Sequence, residues 1–196
     1  MKKRLLVIGL SLLAGSASMA FADTVTLTLI PANGTISGRP GQTVGWGFTL
    51  MNSGADFLVP DSFQFCADVS CFSTPAGGTF TDFTQYNFYV VGPPPESATE
   101  SQLFNAAAMT GVGSFMISLS DPAGTMIPGF IVLTYDLYSC DPTNPDCNPT
   151  VSPGNTISAG AEVKVSTVPE PGTWLLLLSG LGLPWLACRR RRSSGS

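Results

Sequence analysis

The chain contains no histidine, and charged residues make up only 11% of its 196 positions, against roughly 25% in an average protein. Without histidine, Ser-His-Asp and Cys-His catalysis and every histidine-ligated metal site are excluded. No phosphate-binding glycine loop or dinucleotide fingerprint is present either. A glycosidase needs two carboxylates that face each other across a cleft, and none of the acids lies in a recognisable motif. We therefore expect no enzymatic activity.

Basic residues are almost missing from the middle of the chain. Seven of the nine lysines and arginines lie at the two termini, so residues 23–168 contain only Arg39 and Lys164 against twelve acids. A body with this excess of negative charge repels a phosphate backbone, which excludes nucleic acid as a partner. Divalent cations and basic partners remain compatible with it.

The N-terminus has the three parts of a secretory signal peptide. Three bases at residues 2–4 precede an apolar run at residues 5–13, and Ala20 and Ala22 fit the A-x-A cleavage rule. The run is too short to span a hydrocarbon core of about 30 Å. We predict a signal helix at residues 1–22 that is cleaved after Ala22; an uncleaved N-terminal anchor is the alternative.

The C-terminus also has three parts. Prolines on both sides of Glu170 (Pro169 and Pro171) favour an extended segment that suits recognition by an enzyme. Residues 174–188 are apolar and would measure only about 22 Å as a helix, which is short for a lasting anchor. Trp174 and Trp185 lie near the ends of this predicted transmembrane helix, where interfacial aromatics are common. A basic cluster that would stay cytoplasmic follows: Arg189, Arg190, Arg191 and Arg192.

These C-terminal residues resemble the PEP-CTERM family of sorting signals, in the order of motif, short apolar helix and arginine cluster over residues 168–192. The resemblance implies recognition by an exosortase, a membrane-embedded processing enzyme, in a Gram-negative host that makes exopolysaccharide. It also implies an inner-membrane intermediate, removal of the tail, and delivery of the body to the cell surface or extracellular matrix. The alternative is a plain tail-anchored protein that faces the periplasm.

The body, residues 23–167, has the period-two alternation of strands with one buried face. Frequent turn residues separate the alternating runs, so we predict one all-β domain, an antiparallel β-sandwich. We also predict a short helix at residues 97–109, where acids precede alanines. The strong strand predictions are 24–29, 44–50, 131–137 and 157–165; the weak ones are 56–65, 79–91 and 114–119.

Residues 40–54 resemble the second-strand region of bacterial immunoglobulin-like (Ig-like) modules. A glycine-rich start leads into an alternating strand and then into Asn-x-Gly. The resemblance implies an Ig-like sandwich, and we expect Trp46 to be a core anchor rather than a ligand platform.

Four body cysteines form two close pairs, Cys66 with Cys71 and Cys140 with Cys147. In an exported protein four cysteines indicate two disulfides. Three pairings are open, and local closure within each pair is the simplest. A zinc site is the alternative, but the spacing fits it poorly. The fifth cysteine lies in the apolar tail, where we expect a small apolar role.

One acidic loop carries four oxygen-bearing side chains within eight residues: Asp141, Asn144, Asp146 and Asn148. Calcium prefers such clusters, although the spacing is not that of an EF-hand. We favour the alternative, a disulfide-closed turn, and predict no cofactor.

Two functions fit these observations. The first is a non-catalytic structural or adhesive protein of the surface or matrix. The second is a carbohydrate-binding module for the host's extracellular polysaccharide, which needs exposed aromatics on one face. The candidates for that face are Tyr86, Phe88, Tyr89, Tyr135 and Tyr138.

Overall fold

The computed structural model describes residues 25–95, 98–147 and 150–167, which form nine β-strands and one short 3-10 helix. The predicted signal helix (residues 1–22) and transmembrane helix (residues 174–188) lie outside the described residues. In chain order the elements are β1 (Val25–Ile30), β2 (Thr35–Gly38), β3 (Thr43–Asn52), β4 (Phe57–Cys66), β5 (Gly78–Asp82), η1 (Thr84–Tyr86), β6 (Thr99–Gln102), β7 (Gly113–Ile117), β8 (Met126–Tyr138) and β9 (Thr150–Val165).

The strands form where the sequence alternates apolar and polar residues. In β1 the side chains of Val25, Leu27 and Leu29 are buried, and the threonines between them are exposed. All four strong strand predictions are confirmed as β1, β3, β8 and β9. The weak prediction at 79–91 is only partly right, because β5 ends at Asp82 and the 3-10 helix follows it.

The strands lie in two sheets. The first sheet has the order β1-β3-β7-β5, with β6 also paired to β3, and the second has the order β2-β9-β8-β4. The all-β prediction is confirmed, but the expectation of a wholly antiparallel arrangement is wrong, because β2 pairs with β9 in parallel. The cause is a tight turn between Pro31 and Gly34 that carries the chain from β1 in the first sheet to β2 in the second. Whether the topology is Ig-like stays a prediction.

The core is an aromatic layer between the two sheets. Trp46 of β3 lies 5.2 Å from Phe65 of β4, and Phe65 in turn lies 5.4 Å from Phe115 of β7, measured between ring centroids. The indole nitrogen of Trp46 donates a 2.7 Å hydrogen bond to the carbonyl of Gly34. That same carbonyl accepts the backbone N–H of Glu162 in β9. Trp46 is therefore the core anchor that we expected, and one carbonyl joins β3 to the opposite sheet.

The helix predicted at residues 97–109 is wrong. β6 occupies its first part and pairs with the edge of β3 beyond the point where β7 leaves it. The hydroxyls of Thr49 and Ser101 are 3.0 Å apart across this pairing. The alanines then form a turn whose N–H groups at Ala107 and Ala108 donate to the side chain of Asn105. Pairing with β3 outweighs the weak local helix propensity.

The two ends of the described body lie at opposite ends of the sandwich. β1 begins with Val25 beside Asn52, the last residue of β3. β9 ends with Val165 beside Gly38, and Gly38 packs against Val44 at the start of β3. Because β3 is ten residues long, these ends are separated by about 30 Å.

Candidate functional site

The chain leaves the described body through a small platform of loops. Three loops meet around the last residues of β9: residues 39–42, 67–77 and 118–125. We call these loops, together with residues 164–167 and the adjoining Met116 and Met126, the exit end. The N–H of Ser166 donates to the carbonyl of Gly38 at 2.7 Å, and Gly124 N–H donates to the carbonyl of Val165 at 2.8 Å. The end of β9 is thus hydrogen-bonded to the end of β2 and to the 118–125 loop just before the described residues end at Thr167.

Two of these loops are tight turns that the sequence predicts. The N–H of Gln42 donates to the carbonyl of Arg39, and Gly41 has a φ of +77°. The N–H of Thr125 donates to the carbonyl of Pro122, and Gly124 has a φ of +92°. Glycine at positive φ in the third position is the pattern of a type II turn, and in the first of the two turns Pro40 occupies the second position that this type favours. Backbone bonds therefore order the exit end.

Two clefts of about 620 and 320 Å³ open at this end and share Gly77 and Asp121. Among the described residues that line them, Asp121 supplies the one carboxylate. Its Oδ2 atom is buried and has no hydrogen-bond partner among the described residues. Sequence reasoning missed this position, because the turn Asp-Pro-Ala-Gly indicates a loop but not what packs against it. Glycoside hydrolysis needs a pair of facing carboxylates, and the residues that line these two clefts do not supply one.

The five candidate aromatics do not share one face. Tyr86 and Phe88 are 54% and 70% exposed, and Asn87 between them donates its side-chain N–H to the carbonyl of Met109. We call Tyr86, Asn87, Phe88 and Met109 the aromatic patch. The ring of Tyr86 also packs edge-on against buried Phe83. The patch is therefore held in place at its base while two rings face solvent.

The other three candidates are partly buried. Tyr135 packs against the core, and Tyr138 pairs with Phe57 at the far end of β8. Tyr89 stacks on Phe48 with 5.7 Å between ring centroids. Burial, and then the negative charges of Glu100 and Asp82, raise the pKa of Tyr89. Its hydroxyl is buried without a partner in the described part of the chain.

Both disulfides close local loops. Cys66 bonds to Cys71 at the exit end, and Cys140 bonds to Cys147 at the opposite end. The pairing that we considered simplest is therefore confirmed.

The acidic loop between Cys140 and Cys147 uses its side chains on its own backbone. Asp141 accepts hydrogen bonds from the N–H and hydroxyl of Thr143, and these bonds lower the pKa of its carboxyl. Asn144 accepts the N–H of Asp146, and Asn148 lies outside the described residues. Among residues 25–95, 98–147 and 150–167, no three Cys, Asp or Glu side chains are grouped closely enough to hold a metal ion. Our expectation of a disulfide-closed turn without a cofactor stays a prediction.

The sequence-predicted sorting residues all lie outside the described residues. They are the cleavage residues Ala20 and Ala22, the motif Pro169, Glu170 and Pro171, and the membrane residues Trp174, Trp185, Arg189, Arg190, Arg191 and Arg192. Within the described residues, no helix is long and apolar enough to cross a membrane.

The described body is a two-sheet β domain, and the chain continues beyond Thr167 into residues that the structure does not describe. Residues 167–192 match the family model of the PEP-CTERM protein-sorting motif. The chain therefore carries a PEP-CTERM sorting motif, which implies export, surface sorting in a Gram-negative bacterium, and an exosortase-type enzyme as partner. No curated protein matches the chain.

Proposed function

We propose that the protein is a non-catalytic component of the cell surface or exopolysaccharide matrix, with a structural or adhesive role. The sorting motif at residues 167–192 carries this proposal, because it implies the route of the body to the surface. The body supports it with two sheets around one continuous hydrophobic core and with one disulfide near each end. Such a body suits a protein that must last outside the cell.

Deletion of the tail tests the sorting route. A chain that ends at Thr167 is expressed in the natural host, and its amounts at the surface, in the matrix and in the periplasm are compared with those of the full chain. We expect the shortened chain to accumulate in the periplasm or the medium. A matched control removes only residues 193–196, beyond the arginine cluster, and should sort normally. Equal surface amounts of the full and shortened chains would contradict the proposal.

Carbohydrate binding is the second candidate function, and the aromatic patch is the observation that favours it. Two exposed aromatic rings can stack on the apolar faces of sugars. The rings belong to Tyr86 and Phe88. The ligand on this hypothesis is the host's own extracellular polysaccharide.

A pull-down of residues 23–168 with purified host polysaccharide tests this second function. Replacement of Tyr86 and Phe88 by alanine should abolish binding. The control is Leu119→Ala, which removes an equally exposed apolar side chain (83% exposed) at the exit end. Absence of binding by the unaltered body would exclude polysaccharide as the ligand and leave the structural role.

A further inference from the structure

The exit end carries exposed apolar side chains next to the only two bases of the body. Leu119 is 83% exposed and packs on Gly41, so closely that a Cβ atom at Gly41 would lie 2.6 Å from its Cδ2 atom. Gly41 belongs to the same turn as exposed Arg39. An apolar and a basic side chain therefore stand next to each other at the tip of the sandwich.

A second pair of the same kind stands on the outer face of the second sheet. Met126 is 56% exposed and is the register partner of exposed Lys164. Met116, which is 53% exposed, lines the larger cleft together with Leu119. Val69 and Phe72, in the loop at residues 67–77, are exposed as well. The exit end thus combines apolar side chains with long basic ones, the chemistry that favours the boundary between lipid headgroups and acyl chains.

The charges of the body are divided between its two ends. At the exit end Arg39 and Lys164 stand with Asp68 and Asp121, and Glu162 lies two residues before Lys164 on β9. The opposite half contains no base among the described residues. The other described acids lie in that half or in the middle of the sandwich: Asp56, Asp61, Asp82, Glu100, Asp136, Asp141 and Asp146. An anionic surface would therefore repel the opposite half more strongly than the exit end.

The sequence brings the exit end close to the apolar run of the tail. Six residues lie between Thr167 and Trp174, so the two are at most about 25 Å apart when the chain is fully extended. If residues 174–188 enter the bilayer, no other part of the described body is tethered so near to it.

We infer that the exit end is a lipid-contacting surface, which rests on anionic membrane and holds the body upright while the sorting tail is attached. The inference rests on the proposed sorting route. The apolar side chains of Leu119, Met116 and Met126 face the lipid, and Arg39 and Lys164 contact its anionic headgroups. Removal of the tail then releases a surface that binds lipid only weakly by itself.

Methionine oxidation tests the inference on the full chain. Methionines outside the exit end serve as internal references for the oxidation rate. Met116 and Met126 lie at the exit end, whereas Met51 (45% exposed) and Met109 (39% exposed) lie elsewhere. The full chain is reconstituted into vesicles of phosphatidylethanolamine and phosphatidylglycerol, or of phosphatidylcholine alone. Oxidation rates under hydrogen peroxide are then read from peptide masses.

We expect Met116 and Met126 to oxidise several times more slowly in the anionic vesicles, with the rates at Met51 and Met109 unchanged. The double variant Arg39→Gln/Lys164→Gln should lose this protection, because each base favours the docked orientation about fivefold and the two together about 30-fold. A control with the same net charge, Ala55→Glu/Thr150→Glu at the opposite end, should keep it.

Three outcomes would overturn the inference. Equal rates in both kinds of vesicle would show that the exit end does not contact lipid. Protection that rises with protein density, whatever the lipid, would assign the surface to a second copy of the chain. Failure of the full chain to float with vesicles would contradict the membrane stage of sorting as well, whereas the first two outcomes leave the sorting route intact.

Discussion

Replacement of Trp46 by phenylalanine tests how the two sheets are held together. The substitution keeps an aromatic ring beside Phe65 but removes the hydrogen bond to the carbonyl of Gly34, which is 2.7 Å long. That carbonyl keeps its second bond from Glu162, so the lost bond should cost only about 1 kcal/mol. The smaller ring, at a site with 0% exposure, should cost about 1.5 kcal/mol more in lost apolar burial.

The free energy of unfolding should therefore fall by about 2–3 kcal/mol, and the melting temperature by about 5–10 °C. The measurement is urea and thermal unfolding of residues 23–168 followed by far-ultraviolet circular dichroism, which does not depend on the lost tryptophan. Phe115→Leu serves as a control that removes ring volume from the same layer without removing a hydrogen bond. A loss below about 0.5 kcal/mol for the Trp46 variant would refute the view that this side chain joins the sheets.

Three further predictions follow from the same structure. Gly34→Ala should cost more than about 2 kcal/mol, because Gly34 has a φ of +69° and a backbone carbonyl occupies its Cβ position; Gly124→Ala, with open space around it, should cost only about 1–2 kcal/mol in urea unfolding. Tyr89→Phe should leave stability at neutral pH unchanged or higher, because the hydroxyl is buried and has no hydrogen-bond partner among the described residues. Since the folded pKa of Tyr89 is raised above the usual 10.0, stability should decline as the pH rises above 10, and the phenylalanine variant should lose that decline. Replacement of Cys140 and Cys147 by serine should cost about 2 kcal/mol in the loop-entropy model, and thermal unfolding with and without reductant checks it; no change in melting temperature would contradict it.

The parts of the fold that depend on local pattern were predictable. Alternation in β1, β3, β8 and β9 is a property of each segment alone, and the cysteine pairs are close enough in sequence to close local loops. β6 and the parallel pair β2–β9 were not predictable, because each forms only where a distant strand offers a free edge. The acids and alanines of residues 97–109 indicate a helix when taken alone, and the edge of β3 changes that outcome.

The candidate sites also differ in whether the sequence alone reveals them. The sorting tail is recognisable because its motif, apolar run and arginines are consecutive in sequence. The exit end is not, since it combines loops from residues 39–42, 67–77 and 118–125 that only the sheet order brings together. Among the aromatics, Phe88 and Tyr89 are adjacent, and sequence alone does not tell which ring faces solvent.

The intact mass of the protein from the surface or matrix of its host tests the central claim most directly. Cleavage of the signal and removal of the tail predict a chain that begins near Asp23 and lacks residues 174–196, and a host without its exosortase should keep that C-terminal part. A matrix-derived protein that retains residues 174–196 in the presence of the exosortase would contradict sorting by removal of the tail and favour a plain membrane anchor.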